Sequence, residues 1–268
     1  MHSAPAWDPH QYLRHSGHRN RPFHDLLARV PELPRTPARI VDLGCGTGNL
    51  TALLAARRPD AHVTGLDNSP DMLAEATAYA GPSGGGGSID FAHADIGDWR
   101  PAETFDLIIS NAALQWVPDH TDHFTRWVDA LAPGGTFAFQ VPGNFAASSH
   151  ALLRELCGSP RWRDRLGETV RASPVLDPAD YLALLAGLGL AVDAWETTYL
   201  QVLPGEDAVL DWVKGTALRP VFDALADDRE VEEFLAVYGA RLREAYLAGA
   251  DGTVFPFRRI FVVARKRG

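Results

Sequence analysis

The sequence has almost no cysteine, no long apolar run, and too little positive charge to balance its negative charge. Its two cysteines, Cys45 and Cys157, allow at most one disulfide and supply no metal-ligand spacing, so no metal is expected and a reducing compartment fits. No segment approaches the roughly 20 apolar residues that span a bilayer, and the opening residues lack the apolar centre of a signal peptide. The chain therefore reads as cytoplasmic, with no membrane partner. Against 25 Lys+Arg stand 34 Asp+Glu, a net charge of -9, and such a surface repels a polyphosphate. Nucleic acid is thus an unexpected partner. No Ser-His-Asp or Cys-His pattern stands out, and the ten histidines fall without motif spacing, although His10, His15, His18 and His24 cluster near the start.

What is there is a rhythm. Between Arg39 and Val141, short apolar or β-branched runs alternate with helical patterns, the sequence form of successive βαβ units and a parallel sheet. The runs are 39–43, 62–66, 89–92, 105–109 and 136–139. Ser69-Pro70 opens a helix, Pro133-Gly134-Gly135 closes another, and Gly84 to Ser88 reads as a flexible loop. After Pro142 the pattern turns helical over 151–171 and 177–188, gives a strand over 190–202, turns helical again over 206–248 and ends in a strand over 258–265. At 268 residues with 46% hydrophobic content, one domain with an inserted lid is expected.

The strongest motif is Gly44-Cys45-Gly46-Thr47-Gly48, which leaves the first strand and enters a helix. Glycines at alternate positions let the backbone turn tightly and approach a ligand, with helix amides exposed. The spacing G-x-G-x-G differs from the G-x-G-x-x-G of dinucleotide sites, which disfavours a dehydrogenase. Asp67 ends the second strand, 19 residues beyond Gly48, where a carboxylate accepts hydrogen bonds from both ribose hydroxyls. Asp95 and Ile96 follow the third strand, placed to receive an adenine amino group and flank its ring. Asn111 follows the fourth, at the mouth of the crevice. Asp95 and Asn111 are each turn formers as readily as ligands, but at successive strand ends the set points to an adenosine-containing cofactor. Met72, on a helix face, reads as core more readily than as an adenine contact.

These residues resemble the class I S-adenosylmethionine-dependent methyltransferases. Further segments narrow the resemblance to the trans-aconitate 2-methyltransferase family: Trp7-Asp8-Pro9 with Tyr12-Leu13, Arg19 to Phe23, Ser110 to Trp116, Trp212 to Thr216 with Leu218-Arg219-Pro220, and Phe255 to Arg259. The segment from Asn111 to Trp116 is shared with methyltransferases that esterify malonyl-acyl carrier protein. The resemblance implies a Rossmann-like α/β fold, with a mostly parallel seven-stranded sheet, helices on both faces and helical lid inserts. Residues 1–30 form an N-terminal helical cover, 39–142 the cofactor-binding core, and 143–176 with 204–252 the acceptor lid.

The implied activity is methyl transfer from S-adenosylmethionine to a carboxylate of trans-aconitate, giving a monomethyl ester and S-adenosylhomocysteine. An ionised carboxylate needs no general base, so no catalytic residue is expected beyond alignment. The expected cofactor-binding set is Tyr12, Arg21, Gly44, Gly46, Asp67, Asn68, Met72, Asp95, Ile96, Asn111 and Trp116. The expected acceptor set is Gln115, Trp212, Lys214, Arg219, Arg258 and Arg259, because a polycarboxylate requires cationic clamps. Strand alternation sends only one of Arg258 and Arg259 toward a given face, with Arg258 slightly preferred. Trp116 fits core as well as pocket, and Gln115 fits either an acceptor carboxylate or its own loop backbone. The alternatives are another small carboxylate, malonyl-acyl carrier protein, or a non-catalytic S-adenosylmethionine sensor. A monomer or weak homo-oligomer is expected.

Overall fold

The computed structural model describes residues 16–169, 174–225 and 227–268. Strands that are buried on both faces need continuous apolar runs, and the centre of the sheet has them. β5 (Phe105–Asn111) is buried throughout up to its half-buried last residue, and β1 (Arg39–Leu43) is buried after its first. Around them lie β2 (His62–Asp67), β3 (Gly81–Pro82), β4 (Ser88–His93), β6 (Leu131–Pro142), β7 (Leu190–Leu203), β8 (Ala248–Gly249) and β9 (Gly252–Lys266). The sheet order is β3-β4-β2-β1-β5-β6-β9-β7, with β8 paired to β9. Seven strands of five residues or more carry the sheet, and the two-residue strands β3 and β8 extend it to nine among the described residues. Pairings β1–β2, β1–β5, β2–β4 and β5–β6 are parallel, while β9 runs antiparallel to β6. The chain steps outward from β1 through β2 to β4 and then returns to β1's other side with β5. That reversal opens a crevice at the carboxyl ends of β1 and β5.

The helices are α1 (Ser16–Leu27), α2 (Asn49–Arg57), α3 (Pro70–Ala76), α4 (Phe124–Asp129), α5 (Ser148–Cys157), α6 (Arg163–Leu166), α7 (Pro178–Gly187), α8 (Ala208–Lys214), α9 (Arg219–Ala224) and α10 (Asp228–Ala245). Among the described residues no helix is long and apolar enough to cross a membrane. α3 starts where its sequence says: the Ser69 hydroxyl accepts from the Met72 N–H, Pro70 takes the first turn, and Asp71 faces the positive helix end. The helical stretch expected over 151–171 is broken after Cys157 by Gly158-Ser159-Pro160, and that over 206–248 falls into three helices around Gly215, Pro220 and Leu225. Pro133-Gly134-Gly135 does not close a helix. α4 ends at Asp129, and the triplet lies in the irregular start of β6, where pairing to β5 jumps from Phe105↔Leu131 to Leu107↔Thr136.

The loop before β4 is held rather than loose: the Ser83 hydroxyl and the N–H groups of Gly85 and Gly87 all donate to the Pro59 carbonyl, at 2.6, 3.1 and 3.1 Å. The basic terminus is also engaged. Lys266 Nζ donates to the carbonyls of Val128 and Leu131 at 3.1 and 2.9 Å, around the end of α4.

The chain divides into two compact units. The sheet-centred unit takes described residues 16–142 with Val175–Glu196 and Arg259–Gly268, and its core holds Phe124, Trp127, Phe137, Phe139 and Tyr181. The helix-rich unit takes Gly143–Pro174 and Thr197–Arg258, around Trp162, Trp212, Phe234, Tyr238 and Phe255. In α10 the buried residues Phe234, Tyr238 and Leu242 recur every four residues, one stripe of an amphipathic helix.

Candidate cofactor and acceptor site

The crevice starts with the turn that leaves β1. Gly44 adopts φ 79°, and a side chain on it would stand 2.2 Å from Ala113 Cβ, so the turn packs directly on the segment after β5. Gly46 adopts φ 56° for a different reason: beside it lies open space, with no atom within 4 Å of where a side chain would begin. The first glycine permits packing and the second leaves room for a ligand to touch backbone. Beneath the turn, Asp42 is buried and accepts from the Thr51 hydroxyl at 2.7 Å. Burial pushes its carboxyl up to about 6, the Thr51 bond opposes that, and the neighbouring Asp67 charge adds to it. Burial likewise pushes up the Cys45 thiol, with Asp42 and Asp67 adding to the effect, so this thiol is an inert part of the turn.

Asp67 ends β2 with each carboxylate oxygen oriented by a backbone donor. Oδ2 accepts from the Gly46 N–H at 2.8 Å and Oδ1 from the Ser69 N–H at 2.9 Å. The glycine turn and the acidic residue are thus brought together. A carboxylate has about four acceptor positions, so two remain for a vicinal diol. Asn68 is exposed, and its carbonyl accepts from His93 Nε2. Met72 is buried on α3. After β4, Asp95 is exposed and accepts from the Gly97 N–H at 2.8 Å, a local turn that aims the carboxylate. Ile96 is buried, with Cδ1 3.4 Å from the position a Gly44 side chain would take, so it lies along the glycine turn. Open backbone at Gly46, an oriented carboxylate at Asp67 and an apolar wall at Ile96 fit an adenosyl group.

At the end of β5 the backbone is strained: Ala112, which has a side chain, adopts φ 56°, and its N–H donates to the Gln140 carbonyl at 2.9 Å. The buried Ser110 hydroxyl ties this strand end to the Leu43 carbonyl at 2.7 Å. Asn111 Oδ1 accepts from Gln140 Nε2 at 2.6 Å, and Gln140 Oε1 accepts from Arg259 Nη1 at 3.3 Å. Gln115 donates to the Ala112 carbonyl while its Oε1 is buried without a hydrogen-bond partner. Trp116 is 41% exposed.

The two arginines of β9 have different surroundings. Arg259, at 6% exposure, is inside the sheet-centred unit and joined to Gln140. Arg258 belongs to the helix-rich unit, where its N–H donates to Asn144 Oδ1 at 2.6 Å and its Nη1 to the Gly143 carbonyl at 3.4 Å. In that unit Trp212 is buried to 2%, edge-on to Phe257 at 5.5 Å, as part of the core. Lys214 is paired with Asp211 at 3.0 Å, and Arg219 begins α9 half-buried. Arg21 is exposed on α1. Tyr12 lies outside the described residues. Sequence reading missed Gln140, although one signal was available: it interrupts an otherwise apolar strand directly after Phe137-Ala138-Phe139.

A methyltransferase domain family matches residues 40–135. The chain is 63% identical, over 98% of both chains, to a trans-aconitate 2-methyltransferase of Streptomyces avermitilis. It is 61% identical to that of Streptomyces coelicolor, over 98% of this chain and 88% of the relative. In fold it resembles an S-adenosylmethionine-dependent methyltransferase from Thiobacillus denitrificans solved with S-adenosylhomocysteine, with a TM-score of 0.56 over 98% of this chain and all of that one, at 19% identity. By sequence along nearly its whole length, the chain belongs to the trans-aconitate 2-methyltransferase family of class I S-adenosylmethionine-dependent methyltransferases.

Proposed function

We propose that this chain methylates a carboxylate of trans-aconitate with S-adenosylmethionine, releasing the monomethyl ester and S-adenosylhomocysteine. The near full-length likeness to relatives of that name carries the choice of acceptor. Support for the cofactor comes from the Asp67 carboxylate, oriented by the Gly46 and Ser69 N–H groups beside open backbone. When bound, the sulfonium supplies an activated methyl carbon. The protein's work is then to hold an ionised carboxylate in line with it, which requires position rather than a proton acceptor. Asp67 takes the ribose, Gly44 and Gly46 face the methionine part, and Asp95 with Ile96 take the adenine.

For the acceptor, Arg259 is the strongest cation. It is buried, and a planar guanidinium suits a carboxylate. A local cation of this kind offsets the field of a chain of net charge -9 over a Debye length of about 8 Å. Buried, free Cys45 and Cys157 fit a cytoplasmic enzyme, and we take it to act as a monomer or weak homo-oligomer.

The test is transfer of labelled methyl from S-adenosylmethionine to trans-aconitate, cis-aconitate, citrate, isocitrate and malonyl-acyl carrier protein. Strong preference for trans-aconitate, giving a base-labile product, supports the reading. Preference for any other acceptor, or transfer to none despite cofactor binding, overturns it.

A further inference from the structure

Gln140 is fully buried in β6, among Phe137, Ala138, Phe139 and Val141. A buried amide is costly unless paired, and a methionine of similar volume would fill the place without that cost. Both of its ends are paired. Oε1 accepts from Arg259 Nη1 and Nε2 donates to Asn111 Oδ1. The register Asn111↔Gln140 and Gln140↔Phe261, with Pro142↔Arg259 two residues on, puts the three side chains on one face of the sheet.

This chain of contacts has a direction. A guanidinium only donates, so Arg259 fixes which end of the Gln140 amide is oxygen. The NH2 end of Gln140 then fixes Asn111 with its oxygen turned inward. What Asn111 has left to offer at the carboxyl end of β5 is its own NH2, a donor. An isolated asparagine presents either end, whereas this one is held to one polarity by a cation two strands away.

We propose that Gln140 is a positioning residue, which holds the Asn111 amide with its N–H donors toward the crevice so that a carboxylate is received there. This rests on the methyltransferase reading above. The carboxylate belongs either to the methionine part of the cofactor or to the acceptor, and two binding measurements distinguish them.

Calorimetry gives Kd for S-adenosylhomocysteine, and then Kd for trans-aconitate on the S-adenosylhomocysteine-bound protein, where no methyl is available to transfer. In Gln140→Glu the side chain only accepts, so Asn111 must turn its NH2 inward and present oxygen. One of the two Kd values then rises about tenfold or more. Gln140→Met leaves Asn111 free to adopt either polarity, so the same Kd rises by less, and its thermal midpoint stays within a few degrees of wild type. A rise in the first Kd assigns the methionine carboxylate; a rise in the second that Asn111→Asp reproduces assigns the acceptor's, whereas a rise in Gln140→Glu alone is the effect of the new carboxylate on Arg259 and overturns the proposal.

Both Kd values within twofold of wild type in a folded Gln140→Glu protein would overturn the proposal. So would losses in the Met variant equal to those in the Glu variant and tracking its thermal midpoint, the mark of a purely structural role. If Gln140→Glu does not fold, Asn111→Asp, at a half-buried position, presents oxygen directly. It must weaken one of the two ligands about tenfold, and an unchanged pair of Kd values overturns the proposal. Wild-type turnover tests the acceptor reading, and the variant-to-wild-type ratio tests this one.

Discussion

The two compact units share exposed ion pairs but differ in the charge they bury. In the sheet-centred unit the ionisable groups Asp42, Asp106, His120 and Arg259 are buried. In the helix-rich unit the ionic pairs lie at the surface: Arg161 with Glu233, Arg165 with Glu230, Arg241 with Glu155, and Arg243 with Asp207. Exposed pairs are screened by water and contribute little, whereas a buried charge persists only where partners compensate it. Burial alone does not mark function, however. Asp106, near the start of β5, accepts from Arg35 Nε and the Arg39 N–H, both at 2.7 Å, and so ties that strand's start to the segment that enters β1. Asp42 lies toward the carboxyl end of β1, and Arg259, midway along β9, pairs with Pro142 at the carboxyl end of β6. On the function proposed above, what separates Arg259 from Asp106 is the end of the parallel strands it stands against.

That contrast can be broken most forcefully at Asp67. On the proposed function, replacing it by alanine removes two charge-assisted hydrogen bonds to ribose, worth roughly 3–6 kcal/mol together, so S-adenosylhomocysteine affinity measured by calorimetry falls on the order of 100-fold or more. Affinity within fivefold of wild type would detach this unit's polar end from cofactor binding. Gly44→Ala comes next. The added methyl meets Ala113 and takes a left-handed backbone, so chemical denaturation should show a loss of about 3 kcal/mol.

A smaller effect follows from a feature the units share, a neutral histidine packed against an aromatic ring in each, buried at His120 and half-buried at His150. Burial lowers His120, hydrogen-bonded to the Tyr181 hydroxyl at 2.8 Å, and His150, beside Phe145, to about 4. Both folded values lie below the unfolded 6.5, so the unfolded chain binds protons first. The stability these neutral rings confer is present above pH 6.5 and is lost as pH falls toward 4. Urea midpoints between pH 7 and 5 should therefore fall less steeply in His120→Gln and in His150→Gln than in wild type. Unchanged slopes would show that the rings are hydrated. Smallest is Arg241→Ala in the helix-rich unit, expected to cost under about 1 kcal/mol by the same denaturation; a larger loss would erase the distinction between the units.

Much of the sheet was legible because parallel strands are buried on both faces and must be written as apolar runs, as Phe105 to Ile109 is. The Gly46–Asp67 contact was legible too, since a turn after one strand and a carboxylate ending the next meet wherever those strands pair in parallel. Helix lengths after Pro142 were not, because Gly158 and Pro160 break a pattern whose apolar spacing continues through them. Alternation separated Arg258 from Arg259 but assigned neither, since choosing between them requires knowing which side of β9 is covered. Trp212 is expected from sequence only in the acceptor set, because its packing on Phe255 and Phe257, more than 40 residues away in the chain, is not written in its own segment. Gln140 depends on two partners brought together only by β5, β6 and β9.

The glycine loop tied to the Pro59 carbonyl stands at the amino ends of β2 and β4, and Ser88 is roughly 17 Å along β4 from His93, the register partner of Asp67. Lengthening such a loop is cheap, about 0.6 kcal/mol per doubling, and the space beside Gly84 is open. The loop is accordingly a splice point: a fluorophore-bearing or immobilisation peptide inserted at Gly84 would leave the opposite end of the sheet untouched, and the enzyme could be tethered to a surface by it while turning over.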